Sequence, residues 1–66
     1  MDIELNGERT AIPDEITVAD LVARLELGDR RIAVEVNESV VPRSRFGQQV
    51  LHADDRVEVI HAIGGG

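Results

Sequence analysis

Met1, Ile3 and Leu5 alternate with Asp2 and Glu4. That period of two marks a strand with one face in a core and the other in water. Asn6-Gly7 follows, a strong hairpin signal, because a type I′ turn needs positive φ at both central residues. Glu8 to Ile12 then returns as a second strand, stopped by Pro13, which has no amide hydrogen for a ladder. At Thr17 the period changes. Val18, Leu21, Val22 and Leu25 stand at i, i+3, i+4 and i+7, the apolar face of a helix of two to three turns. Thr17 is its expected N-cap, with Asp20 favourable to the dipole, and Gly28 its expected terminator. Arg31 to Val36 alternates again, Ile32, Val34 and Val36 against Ala33 and Glu35. Asn37-Glu38 reads as a turn and Val40-Val41 as a short strand ended by Pro42. Arg43 to Gln49 has no clean period and reads as a loop or single helical turn, with Phe46 tucked inward as a core plug. Val50-Leu51 is a further candidate strand. Asp54-Asp55 is a turn, and Arg56 to His61 is the last strand, Val57 and Val59 on one face, Glu58 and Ile60 on the other.

The predicted order is β-β-α-β-β-β. An amphipathic helix after a hairpin must cover one face of the sheet, and a natural closure places the last strand beside the first, in the middle. The expectation is an α+β fold, a mixed sheet of four to five strands packed on one helix. That is the β-grasp, or ubiquitin-like, arrangement. Sixty-six residues allow one domain with a limited core. Fifteen of the 28 apolar residues are Val or Ile, which favours strands.

Charge and composition remove several functions. Seven Arg and no Lys oppose thirteen acids, for a net charge of −6. That balance argues against nucleic acid and anionic membrane surfaces and favours a basic protein partner. No apolar run approaches the roughly 20 residues that cross a bilayer, and no signal peptide opens the chain, so a soluble cytoplasmic protein is expected. With no Cys, a thiolate nucleophile, a disulfide and a Cys-ligated zinc are excluded. Ser39 and Ser44 have no base nearby in sequence. His52 and His61 with Asp54 and Asp55 can be drawn as a metal site, but a loop histidine and a strand-end histidine in water are the simpler account. Aliphatics on the uncovered sheet face, Ile60 and some of Val34 to Val41, are candidates for partner docking. Glu4, Glu8, Glu35 and Glu58 read as a solvated surface that can add steering.

The remaining chemistry is at the end of the chain. Residues 1–63 read as the folded body and Gly64, Gly65 and Gly66 as a flexible tail, since glycine is costly to order. Three extended residues reach about 10 Å. Such a tail, lacking side chains, can enter a channel as wide as a backbone, and its only functional group is the Gly66 α-carboxylate. A carboxylate is a poor electrophile until a partner activates it, for example by adenylylation, after which sulfide, a thiol or an amine can displace AMP. No residue of the chain itself is read as catalytic.

These features resemble the ThiS family of sulfur carriers in thiamine biosynthesis. The resemblance spans the whole chain and is strongest in Ala33-Val34-Glu35-Val36-Asn37, Val40-Val41-Pro42-Arg43, Phe46, Asp54 to Ile60, and Ala62-Ile63-Gly64-Gly65-Gly66. It implies that a ubiquitin-activating-like adenylyltransferase adenylates Gly66 with ATP and Mg. A sulfur relay fed by a cysteine desulfurase or similar donor then forms a thiocarboxylate. Thiazole synthase takes the sulfur into the thiazole ring. No bound cofactor is expected on the carrier. Two alternatives share fold and tail: the small subunit of molybdopterin synthase, and a ubiquitin-like protein modifier. Without Lys the chain could not build lysine-linked polymers of itself.

Overall fold

The computed structural model describes residues 1–27 and 31–61. Asn6 and Gly7 have φ of +50° and +84°, the type I′ geometry expected of that pair. They join β1 (Asp2–Leu5) to β2 (Glu8–Ala11) with Leu5 opposite Glu8 and Asp2 opposite Ala11. Asn37 and Glu38 make the same turn, φ +50° and +70°, between β3 (Ile32–Val36) and β4 (Ser39–Val41). The last strand, β5 (Arg56–His61), lies between the two hairpins. The sheet order is β2-β1-β5-β3-β4, with β5 parallel to β1 and antiparallel to β3. First and last strands are therefore central neighbours, as the sequence pattern predicts.

Helix α1 (Val18–Arg24) is two turns long and held at both ends. The Asp20 amide donates to Thr17 Oγ1 at 3.1 Å, and the Thr17 amide donates to Asp20 Oδ2 at 3.0 Å, a reciprocal capping box. The bond from the Thr17 amide does most to hold the Asp20 carboxyl below its ordinary range, the Thr17 side chain adds to it, and Arg24 contributes a smaller attraction. The free amides of the first turn are also met by the long loop after β4. Val18 donates to the Gln49 carbonyl at 2.9 Å and Ala19 to the Phe46 carbonyl at 3.0 Å. At the other end Glu26, not the expected Gly28, takes the left-handed conformation, with φ +55°. The helix therefore closes two residues early, and Gly28 is outside the described residues.

The core lies between the helix and one sheet face. Ile3, Val34, Val36, Val41, Val57 and Val59 enter from the strands, Val18 and Leu21 from the helix, and Ile12, Ile16, Phe46 and Leu51 from connections. Among the described residues no polar side chain is buried. Val22 and Leu25, expected in the core, are half-buried at its rim, because a two-turn helix on a small sheet covers only part of its apolar face. Val50-Leu51 is not a sheet strand. Val50 forms a single antiparallel bridge to Thr17 and the Leu51 amide donates to the Ile16 carbonyl at 2.9 Å, so this segment fastens the helix entry and delivers Leu51 to the core. Arg43–Arg45 is one 3-10 turn, with Phe46 buried just after it. No described helix is long and apolar enough to cross a membrane.

Candidate functional site

The three glycines that carry the predicted chemistry, Gly64, Gly65 and Gly66, lie outside the described residues, as do Ala62 and Ile63. What the structure defines is the strand that leads to them. β5 is paired on both flanks, along Ile32 to Val36 on one side and at Glu4 and Leu5 on the other. Val57 and Val59 anchor it in the core.

Two asparagines fasten β5 further. Asn6 donates its amide to the Val57 carbonyl at 2.9 Å and accepts the Val59 amide on Oδ1 at 2.8 Å. Asn37 donates its amide to the Arg56 carbonyl at 2.7 Å and accepts the Arg56 amide on Oδ1 at 2.9 Å. Its Nδ2 donates to Asp55 Oδ1 at 3.0 Å. Each is the first residue of a two-residue turn. The turn pattern identified both as turn formers, but their side-chain work on β5 was not predicted. Glycine or aspartate also suits such positions, and only the strand order shows what faces the amide oxygen.

The uncovered sheet face divides in two. Over β2, β1 and the start of β5 it is a lattice of charges. Arg9 reaches Asp2 at 3.1 Å and Asp54 at 3.4 Å, and Arg56 reaches Glu4 at 3.3 Å and Glu38 at 3.9 Å. These pairs are exposed and individually weak. Toward the far end of β5 the face turns apolar. Ile60 is 53% exposed and stands directly opposite exposed Ala33. Val40, 68% exposed, lies one strand further out, opposite Glu35. Of the expected docking aliphatics, Ile60 and Val40 are therefore on the surface, whereas Val34, Val36 and Val41 point into the core. Glu35 and Glu58 stand opposite one another, a like-charge pair that costs stability. A groove of about 360 Å³ runs beside β4 and the 3-10 turn, lined by Val40, Pro42, Arg45 and Gln48 among others. It lies at the sheet edge, with β3 between it and β5.

His52 is exposed in its loop with Nδ1 3.9 Å from Asp55 Oδ2, and His61 ends β5 half-buried. Among the described residues no group of three or more His, Asp or Glu is placed to hold a metal ion.

A mixed sheet wrapped on one helix, with the last strand running up its centre, defines a ubiquitin-like β-grasp domain. The crystal structure of the thiamine biosynthesis protein ThiS from Geobacter metallireducens superposes on the whole chain with a TM-score of 0.85 at 26% identity, and the match covers all of that protein too. The model of the ThiS family matches residues 2–66. The chain belongs to the ThiS family. It is 31% identical over 65 residues to the sulfur carrier protein ThiS of Bacillus subtilis, covering 97% of this chain and 98% of that one. It is also 42% identical over 66 residues, its full length, to a thiazole synthase from Magnetococcus marinus. The chain spans 20% of the length of the thiazole synthases that it matches.

Proposed function

We propose that the chain is a cytoplasmic sulfur carrier of thiamine biosynthesis, with residues 1–63 as its recognition body and residues 64–66 as its reactive tail. The observation that carries this reading is the family match over residues 2–66, which takes in body and tail together. The near full-length likeness to the sulfur carrier of Bacillus subtilis supports it.

The chemistry follows from the tail. A Gly66 carboxylate oxygen attacks the α-phosphorus of ATP, held with Mg in a ubiquitin-activating-like adenylyltransferase, and pyrophosphate leaves. The resulting acyl adenylate has AMP as a good leaving group. The outer sulfur of a persulfide, formed by a cysteine desulfurase or similar donor, adds to the carbonyl carbon and expels AMP, and a thiol reductant then cleaves the S–S bond of the resulting acyl disulfide. The tail then carries a thiocarboxylate, whose sulfur is a better nucleophile than the oxygen it replaced. Thiazole synthase takes that sulfur. The likeness of this chain to part of two thiazole synthases supports that partner. Gly64 and Gly65 bring no side chain to the channel, so the enzyme can close around the backbone. The carrier supplies an address and a handle, and its partners supply the catalytic groups.

Intact-mass measurement tests this. Incubation with the adenylyltransferase, Mg-ATP and a sulfur donor should replace one oxygen by sulfur at Gly66. Deleting Gly66 should abolish the mass change and leave the melting temperature unaltered. No mass change with competent activating enzymes would refute the carrier role. Unfolding of the truncated chain would refute the division into body and tail.

A further inference from the structure

Among the described residues, the β5 backbone has one flank left unpaired toward its end. In an antiparallel ladder successive residues turn their amide and carbonyl to alternate neighbours. Arg56 turns both groups toward the β3 side, where Asn37 meets them. Glu58 and Ile60 therefore also face β3, while Val57, Val59 and His61 face the β1 side. β1 pairs with β5 only as far as Leu5 opposite Val57, and the chain then folds back through Asn6-Gly7. Asn6 extends the ladder by the two bonds described above, to the Val57 carbonyl and the Val59 amide. The next groups in that row, the Val59 carbonyl and the His61 amide, have no backbone partner among the described residues.

We infer that this flank receives an added strand from thiazole synthase, laid alongside β5 in the line that β1 vacates; the inference rests on the sulfur-carrier reading above. In a parallel ladder one residue of the incoming strand gives its amide to the Val59 carbonyl and takes the His61 amide on its own carbonyl. That residue is a same-face neighbour of Ile60, which is 53% exposed beside Ala33, so it is apolar. Its surroundings on the enzyme are basic, matching the opposed carboxylates of Glu35 and Glu58 and the net charge of −6.

The other sheet edges suit this less well. On β4 the outward row meets Pro42, which has no amide hydrogen and whose carbonyl already accepts the Arg45 amide at 2.8 Å. The outer edge of β2 is separated from β5 by β1. Only the β5 flank is continuous in sequence with Gly66, five residues past His61. At roughly 3.3 Å per extended residue, an enzyme strand fixed at His61 registers a tail of about 17 Å against the active site.

The test replaces one backbone N–H by oxygen. The full chain is assembled chemically with an ester in place of the His61 amide, and its affinity for purified thiazole synthase is measured by calorimetry. Loss of one hydrogen bond should raise Kd about 3- to 10-fold, measured at a temperature where both chains are fully folded, since the ester also weakens the Ile60 carbonyl that faces β3. His61→Ala, which keeps the amide, should bind like the unmodified chain. An ester chain that binds within twofold of the unmodified one overturns the added strand and leaves the carrier role standing. If the unmodified chain does not bind thiazole synthase, the proposed partner and the added strand fall together.

Discussion

Replacing Asn37 probes how the turn between β3 and β4 holds the central strand. The residue has φ of +50°, a left-handed conformation that asparagine tolerates better than alanine. Its side chain accepts the Arg56 amide at 2.9 Å and donates to Asp55 at 3.0 Å. Asn37→Ala loses both bonds and keeps the unfavourable φ. At about 0.5–1.5 kcal/mol for each bond and about 1 kcal/mol for the backbone, the cost is about 2–4 kcal/mol. For a domain of this size that lowers the melting temperature by about 15–30 °C. Asn37→Gly loses the same bonds but adopts positive φ freely, so it should fall midway. The gap between Gly and wild type measures the side-chain bonds, and the gap between Ala and Gly measures the backbone. Urea unfolding followed by far-UV circular dichroism suits a chain with no Trp or Tyr. A glycine variant as stable as wild type would show that the bonds to Arg56 and Asp55 contribute nothing. Equal stability of the two variants would remove the conformational cost.

Leu21, 2% exposed beneath the sheet, should cost about 2–5 kcal/mol on truncation to Ala. Against a total of roughly 3–10 kcal/mol for a chain of this length, thermal melts should show a variant that is partly unfolded at 37 °C. Glu58→Gln removes the carboxylate facing Glu35 and should stabilise by about 0.2–1 kcal/mol. Its advantage in melting temperature should shrink in 1 M salt, where the screening length is about 3 Å. Thr17→Ala breaks the capping box and should cost about 0.5–2 kcal/mol by urea titration. Asp20 gives the cap an acid limit. Its native pKa lies below the ordinary aspartate value of 3.8, so its contribution is full above 3.8 and is lost as pH falls through the lowered native value. Melts from pH 6 downward should show the advantage of wild type over Asp20→Ala constant until that window and vanishing within it. An advantage that persists to the lowest pH would contradict a role for the ionised carboxylate.

Most of the fold was legible because its signals are local. Alternation fixed four strand cores, Asn6-Gly7 fixed a turn through its φ requirement, and the i, i+3, i+4 spacing after Thr17 fixed the helix. The β-grasp order followed from needing to cover one sheet face with a single helix. Where the reading failed, a tertiary partner decided. Val50-Leu51 has strand-forming residues, but its pairing partner is the helix entry at Ile16 and Thr17. Glu26 takes a left-handed φ that its own preference opposes, ahead of the glycine that sequence favours. Val40 resembles the buried valines in type, and only the register places it on the uncovered face, whereas alternation along β5 already set Ile60 there. The expected site residues, Gly64 to Gly66, lie outside the described residues. The structure adds the strand that precedes them.

That strand is held firmly despite the small size of the domain. β5 borders both hairpins, so force applied along it is resisted by the β3 ladder, by the shorter β1 ladder and by the bonds from Asn6 and Asn37. Its inward residues, Val57 and Val59, are core members, and its outward residues, Glu58 and Ile60, lie on the exposed face. One strand therefore puts its core residues on one side and its exposed residues on the other. Substitutions at Glu58 or Ile60 should alter partner affinity with little effect on folding, because neither side chain is buried. Substitutions at Val57 should act through folding, because its side chain is fully enclosed. On the proposed reading, chemistry at Gly66 leaves that packing unchanged.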